Sequence, residues 1–103
     1  MDLNNQEDIL LENSNDVISI DAVQRVMRKS IARQYAYYRK MKKMTQEEVA
    51  KRAGISRTNI TRFEGGEYNP SLEMLVKIAM ALELEVDFRL MDRKNSEDIQ
   101  KNY

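Results

Sequence analysis

The sequence predicts a small, mostly helical domain, and three observations support that prediction. The chain has 103 residues, which is the length of a single domain. It contains only three Gly and one Pro, whereas loop-rich and β-rich chains use more of both. Its central part places apolar residues at helical spacing, between residues that begin and end helices.

The composition argues against several kinds of chemistry. The chain has no Cys and no His, which removes disulfides, thiolate metal sites and the commonest general base. We therefore expect no metal ion, no cofactor and no enzymatic activity. The longest apolar run, residues 78–82, is far shorter than the ~20 residues that span a bilayer. Residues 1–5 are polar and do not resemble a signal peptide, so we expect a soluble, cytoplasmic protein without a membrane partner.

The net charge of zero conceals an uneven distribution of charge. Residues 1–20 carry five acidic and no basic side chains, whereas residues 21–66 carry a net charge of +8. A basic central segment is expected of a protein that binds a polyanion. The alternative interpretation is a solvated helix face balanced by an acidic neighbour. Charge alone leaves both interpretations open.

The chain divides into three segments. Residues 1–20 are predicted to form an acidic, mobile extension. This extension is inert, binds a basic partner such as a toxin, or folds back onto the basic first helix. Residues 21–84 hold the helical patterns, and residues 85–103 combine a short strand with a polar tail.

Four helices are predicted between residues 21 and 84. The first begins at Asp21, with Gln24 at the spacing of a capping box. Thr45 and Glu48 form a second capping box, and Gly54 suits the left-handed position that ends that helix. The third helix begins at once, and the fourth opens at residues 70–71. The apolar side chains of the first helix follow steps of three and four: Val23, Met27, Ile31, Tyr35 and Tyr38.

Two short helices joined by a tight glycine-containing turn form a helix-turn-helix arrangement. Ile60 and Phe63 give the third helix an apolar, inward face. Arg can then bind guanine bidentately from the outward face, and Thr can contact a base or a thymine methyl group. Polar side chains at helix N-termini are placed to meet phosphate. The outward and N-terminal residues that these arguments select are Gln46, Ser56, Arg57, Thr58, Thr61 and Arg62.

Residues 45–82, TQEEVAKRAGISRTNITRFEGGEYNPSLEMLVKIAMAL, resemble the phage-repressor-like, XRE-type helix-turn-helix family. The motifs TQEE, AxxxGIS, RFExG and NPSLxxL carry the resemblance, which together with the preceding helix from about Ile31 covers roughly half of the chain. It implies an all-α, lambda-repressor-like bundle of four to five helices that binds operator DNA as a symmetric dimer.

The resemblance also implies roles for individual residues. Arg57, Thr58 and Arg62 match base-contacting positions, and Ser56 and Thr61 match lesser contacts. Gln46 matches a residue that touches phosphate and braces the recognition helix. Asn69 and Gly65 match a loop whose backbone lies along phosphates. Arg39 and Glu64 match an internal ion pair between the first helix and the recognition helix.

The sequence departs from the family pattern at its helix ends. Lys43 and Glu83 stand where Gly often ends the first and fourth helices, so we expect another conformation or longer helices there. Alternation of apolar and charged residues predicts a strand over residues 85–90 in place of a fifth helix. This feature is similar to XRE-type proteins of toxin–antitoxin operons, whose closing strand can pair across the dimer. The predicted dimer strand carries Val86, Phe88 and Leu90.

The predicted function is that of a sequence-specific DNA-binding transcriptional repressor. Its partners are double-stranded DNA, bound at an inverted-repeat operator, and a second copy of the chain. The alternative is an antitoxin that neutralises a basic toxin protein and represses its own operon. The acidic extension, the small size and the closing strand motivate that alternative.

Overall fold

The computed structural model describes residues 9–13 and 16–94. Strands Ile9–Asn13 (β1) and Asp16–Ser19 (β2) precede four helices, which are Ile20–Met41 (α1), Gln46–Ala53 (α2), Arg57–Glu64 (α3) and Leu72–Ala81 (α4). The predicted helical bundle is confirmed. Within the described residues, no helix has the length and hydropathy needed to cross a membrane.

A two-stranded antiparallel hairpin lies in the segment that was expected to be mobile. Ile9 pairs with Ser19 and Asn13 with Asp16, with an irregularity between Ile9 and Leu11. Sequence reasoning missed the hairpin because short apolar runs do not distinguish strands from helices. The remainder of the extension, residues 1–8 and 14–15, lies outside the described residues.

The N-cap of α1 lies two residues before the predicted one. Ser19, rather than Asp21, is the N-cap, and its hydroxyl oxygen accepts a hydrogen bond from the Ala22 amide at 3.0 Å. Ser19 also ends β2, so it already has the extended backbone that an N-cap requires. The predicted capping box between Asp21 and Gln24 is therefore wrong.

The core lies among the four helices. On α3, Ile60 and Phe63 are buried as predicted. On α1, Tyr35 places its ring edge-on to Phe63 with centroids 5.0 Å apart, and its hydroxyl donates to the Leu75 carbonyl at 2.8 Å. Burial raises the pKa of Tyr35. The largest fully buried side chains, each stabilising the fold by about 1.5–3 kcal/mol, are Val49, Ile60, Ile78 and Leu82.

The N-terminus of α2 forms the predicted capping box. The Glu48 amide donates to the Thr45 hydroxyl at 3.0 Å, and the Thr45 amide donates to the Glu48 carboxylate at 2.7 Å. The hydrogen bond from the Thr45 amide is the main reason that the pKa of Glu48 is lowered. Ser56 and Ser71 cap α3 and α4 with a single hydrogen bond each, accepted by the serine side chain from a backbone amide of the first turn. These caps fix where each helix begins.

Two helices end in the left-handed conformation without glycine. Lys43 follows α1 with φ 58°, and Glu83 follows α4 with φ 60°. The Met44 amide donates to the Arg39 carbonyl at 3.1 Å, which closes α1 as a glycine would. The expectation of another conformation or longer helices is wrong. The packing of the flanking helices outweighs the roughly 1–2 kcal/mol that this conformation costs an L-residue.

The strand predicted over residues 85–90 is not formed within the described chain. These residues follow α4 and form no β-ladder with another described segment. Phe88 and Leu90 are 76% and 85% exposed. Apolar alternation marks a segment that suits a sheet edge, but a strand forms only where a neighbour supplies hydrogen bonds. No fifth helix is present among the described residues either.

Replacing either strained residue with glycine is expected to stabilise the protein. Lys43→Gly and Glu83→Gly should each raise the free energy of unfolding by about 0.5–1 kcal/mol, because Gly adopts positive φ without steric cost. Urea denaturation of each variant measures this. The control is Gly54→Ala, where φ is 71° and no atom lies within 4 Å of an added Cβ. That variant should lose stability through the backbone alone, and a destabilised Lys43→Gly variant would contradict the explanation.

Candidate nucleic-acid interface

The helices α2 and α3 form the predicted helix-turn-helix pair. Gly54 ends α2 in the left-handed conformation, and Ser56 caps α3 two residues later. Val49 and Ala50 are buried on the α2 face that contacts the core. Because an added Cβ at Gly54 would meet nothing within 4 Å, glycine is needed there for the backbone and not for space. The turn therefore fixes the direction in which α3 leaves α2.

The outward face of α3 carries the four predicted side chains. Arg57, Thr58, Thr61 and Arg62 are all exposed, on the side opposite Ile60 and Phe63. In the first turn, Arg57 and Thr58 make no side-chain hydrogen bond or ion pair with any described residue. Both side chains are thus available for hydrogen bonds to base edges.

Arg62 is held in place by its neighbours at the end of α3. Its guanidinium carbon lies 5.1 Å from the centroid of the Tyr68 ring. Its Nε also lies 3.4 Å from a carboxylate oxygen of Glu67. Burial raises the pKa of Tyr68, whose hydroxyl contacts the sulfur of Met74 at 3.0 Å. Arg62 is therefore pre-oriented, and redirecting it towards a base would forfeit a stacking contact of about 0.5–1 kcal/mol.

Arg39 and Glu64 form the predicted ion pair. Arg39 Nε donates to Glu64 Oε2 at 2.6 Å, and its Nη2 donates to Oε1 at 3.0 Å. Arg39 Nη1 also donates to the Met44 carbonyl at 2.8 Å. Only 13% of the Arg39 side chain and 10% of the Glu64 side chain are exposed. The pair joins α1 to α3 and to the loop that precedes α2, so it is not a loose surface contact.

Gln46 connects this ion pair to the outward face of α3. Its Nε2 donates to Glu64 Oε1 at 3.0 Å, and its Oε1 accepts from the Thr61 hydroxyl at 2.8 Å. Both polar atoms of the Gln46 side chain are thus used within the protein. The first turn of α2 is fixed against α3, and the Thr61 hydroxyl hydrogen is used in the fold.

The predicted contact residue Asn69 is bound to α1. Its Nδ2 donates to Gln24 Oε1 at 2.6 Å, and its Oδ1 accepts from Arg28 Nη1 at 3.3 Å. Arg28 Nε also donates to the Gly66 carbonyl at 3.2 Å. The side chain of Asn69 therefore anchors the loop of residues 65–69 to α1.

Sequence reasoning missed Gln24 and Arg28 as partners of the loop. Both lie on the α1 face that also carries Tyr35 and Arg39, at steps of four, seven and four. That helical spacing was a detectable signal, because polar residues on a core-facing stripe need buried or half-buried partners. The identity of the partner, about forty residues away, could not be derived from the spacing.

Comparison with known proteins identifies relatives of this helix-turn-helix region. The Helix-turn-helix family profile matches residues 36–88. An uncharacterized HTH-type transcriptional regulator of Methanocaldococcus jannaschii is 41% identical over 51 residues, which cover 50% of this chain and 77% of that protein. The cryptic phage CTXphi transcriptional repressor RstR of Vibrio cholerae is 44% identical over 57 residues, which cover 55% of this chain and 51% of RstR.

A solved structure shares the arrangement of the helices. The restriction-modification controller protein C.AhdI from Aeromonas hydrophila aligns with a TM-score of 0.57 and 28% sequence identity. The alignment covers 58% of this chain and 91% of that structure. The resemblance inferred from the motifs in residues 45–82 is thereby confirmed.

Glu64→Gln is expected to destabilise the protein by about 2–4 kcal/mol, because a mostly buried Arg39 loses its counter-charge. In addition, the side-chain NH₂ group of the new glutamine would face an N–H donor of Arg39 or Gln46, with which it cannot form a hydrogen bond. Chemical denaturation measures the loss. The matched control is Glu73→Gln, which breaks an exposed ion pair with Lys77 and should cost less than about 0.5 kcal/mol. Equal losses in the two variants would show that the Glu64 network does not stabilise the fold.

Proposed function

Because the chain belongs to the Helix-turn-helix family and is a DNA-binding transcriptional regulator, we propose that it represses transcription as a homodimer bound to an inverted-repeat operator. The observation that carries the proposal is the exposed face of α3, where Arg57 and Thr58 have no described partner. The major groove of B-DNA is about 12 Å wide and admits an α-helix. The first turn of α3 would enter it.

Two helix N-termini support phosphate contacts beside the groove. Ser56 accepts a hydrogen bond from the Asn59 amide, so its hydroxyl hydrogen is free to donate to a phosphate oxygen. Gln46 opens α2, where the backbone amides of the first turn face outward. Helix N-termini favour anions through these amides and through the helix dipole. Such contacts position the protein, whereas Arg57 and Thr58 would provide sequence specificity.

The hydrogen bonds around Glu64 fix α3 relative to the first turn of α2, where a phosphate would bind. Gln46 is bonded both to Glu64 and to Thr61, so the first turn of α2 and the outward face of α3 have a fixed separation. A phosphate contact by α2 therefore sets the depth and angle at which α3 meets the bases. This preorganisation reduces the entropy that would be lost on binding.

The apolar surface of the C-terminal segment favours a homodimer. A cavity of about 620 Å³ lies between α1, α4 and the segment, and its lining includes Tyr38, Leu75 and Phe88. Val86, Phe88 and Leu90 remain 44–85% exposed. In the proposed dimer, residues 85–90 pair with the same segment of the second copy. This pairing provides hydrogen-bond partners for the backbone of the segment and covers its apolar side chains. The two α3 helices would then occupy successive major grooves, ~34 Å apart.

The proposal assigns binding, and no catalysis, to this chain. A sequence without Cys or His has few groups suited to general acid-base or nucleophilic chemistry. The antitoxin alternative depends on residues 1–20, and it stays a prediction because no described contact favours it over the repressor.

Selection of bound duplexes from a random library tests the proposed function. At physiological salt, we expect enrichment of an inverted repeat, because a two-fold symmetric dimer places two identical recognition helices on the DNA. Low salt would exaggerate non-specific binding to phosphate and is avoided. Failure to enrich any sequence would contradict the proposal.

The Arg57→Ala variant serves as the test of base contact within the same selection. It should relax the preference at one base position of each half-site, at a cost of about 1–3 kcal/mol. The control is Arg93→Ala, which removes an exposed arginine beyond α4. A uniform loss of affinity for all sequences would assign Arg57 to phosphate instead.

Phe88→Asp is expected to convert the dimer into a monomer, because a charge replaces an apolar side chain in the pairing segment. Sedimentation equilibrium at micromolar concentration measures the mass. Val26→Asp is the control, since Val26 is 68% exposed on α1 and is absent from the lining of the cavity. A monomeric wild-type protein would contradict the proposed interface.

A further inference from the structure

Nearly three quarters of α1 precede the part of the chain that the family profile matches. The family match begins at residue 36, whereas α1 begins at Ile20. Residues 20–35 thus add about four helical turns beyond the matched region. The last turns of this segment contribute Ile31 and Tyr35 to the core, so any separate role belongs to the residues before them.

This additional segment is bound to the loop that follows α3. Gln24 and Arg28 together bind both polar atoms of the Asn69 side chain, and Arg28 also binds the Gly66 carbonyl. These are contacts between residues 38 to 45 positions apart. They join the start of α1 to the exit of the recognition helix.

The loop lies directly on the backbone of α1 at Gly66. Gly66 is buried and has φ 67°, and an added Cβ would lie 3.1 Å from Lys29 Cγ and 3.3 Å from Lys29 Cα. The Lys29 Cα belongs to a regular helix and cannot move away independently. The loop and this turn of α1 are therefore one packed unit, and the position of Lys29 relative to the exit of α3 is fixed.

The additional segment carries an excess of positive charge that the fold only partly uses. Residues 20–35 contain four basic residues and one acidic residue. Arg25 is paired with Asp21 at 2.6 Å, and Arg28 is bonded to the loop. Lys29 is exposed and makes no hydrogen bond or ion pair within residues 9–13 and 16–94. It is a free cation beside the loop.

The exit of a recognition helix lies close to a phosphate backbone. The groove that holds such a helix is bordered by a backbone on each side, so a chain leaving the helix passes one of them. Gly66 is two residues beyond the end of α3 at Glu64. Lys29, whose Cα and Cγ pack against Gly66, is therefore placed beside that backbone, where lysines contribute sequence-independent affinity.

We propose that the N-terminal half of α1 extends the DNA-binding surface: Gln24 and Arg28 hold the loop of residues 65–69, and Lys29 binds a backbone phosphate at the edge of each half-site. This inference rests on the proposed DNA-binding function. It adds an interaction surface on residues that the family match does not include.

Lys29→Gln tests the phosphate contact through the salt dependence of operator binding. The slope of log K against log salt should become less steep by about 0.9 per protomer, as expected for one lost phosphate contact. Phosphate-ethylation interference should lose one position at the outer edge of each half-site. Lys77→Gln is the matched control, because it removes the same charge from an exposed site on α4. Its slope should equal that of the wild type.

Arg28→Lys tests the positioning role separately. Lysine keeps the charge but lacks the planar fork with which Arg28 binds Gly66 and Asn69 together. Operator affinity should fall several-fold at every salt concentration, with the slope unchanged. Loss of slope without loss of affinity at low salt would instead make Arg28 a phosphate contact and overturn its positioning role.

The outcomes distinguish this inference from the proposed function. If the wild-type protein selects no DNA sequence, the proposed function itself is contradicted. A wild-type protein that selects an operator, with Lys29→Gln and Lys77→Gln giving the same slope, retains the proposed function and overturns the extended surface.

Discussion

One carboxylate, that of Glu64, determines how the recognition helix is held. It accepts hydrogen bonds from Arg39 on α1 and from Gln46 on α2, while it lies on α3 itself. The apolar core brings these helices together, but burial is non-directional and tolerates rotation of one helix against another. Hydrogen bonds to a mostly buried carboxylate are directional and weakly screened. The angle of α3 relative to α1 and α2 therefore depends on this group.

This constraint divides the outward face of α3 into two parts. Thr61 is bonded to Gln46, and Arg62 is stacked on Tyr68, so the second half of the helix is partly used by the fold. Arg57 and Thr58 are exposed in the first turn and have no described partner. The backbone of α3 is held by its cap at Ser56 and by the bond from Thr61 to Gln46, so the unbonded side chains of Arg57 and Thr58 project from a helix of fixed orientation. In the proposed complex with DNA, these two adjacent side chains would provide most of the sequence discrimination.

The sequence predicted those features that depend on neighbouring residues. The capping box at Thr45 and the turn at Gly54 follow from contacts within four residues, and they were correct. The cap at Ser19 was missed although its hydrogen bond with Ala22 is equally local, because Asp21 is a competing candidate cap two residues later. The bonds from α1 to Asn69 span more than forty positions, beyond any local pattern. The strand over residues 85–90 was wrong for the described chain because alternation does not supply a pairing partner.

The structure shows how the basic residues of the first helix and the loop after it are used. Of the eight basic residues between residues 21 and 44, three serve the fold through Asp21, the 65–69 loop and Glu64. The other five are exposed and make no ion pair within the described residues. The basic segment is thus partly structural and partly an accessible surface of uncompensated charge. At physiological salt, electrostatic interactions decay over about 8 Å. The local excess of charge, rather than the total of zero, governs the approach of a polyanion.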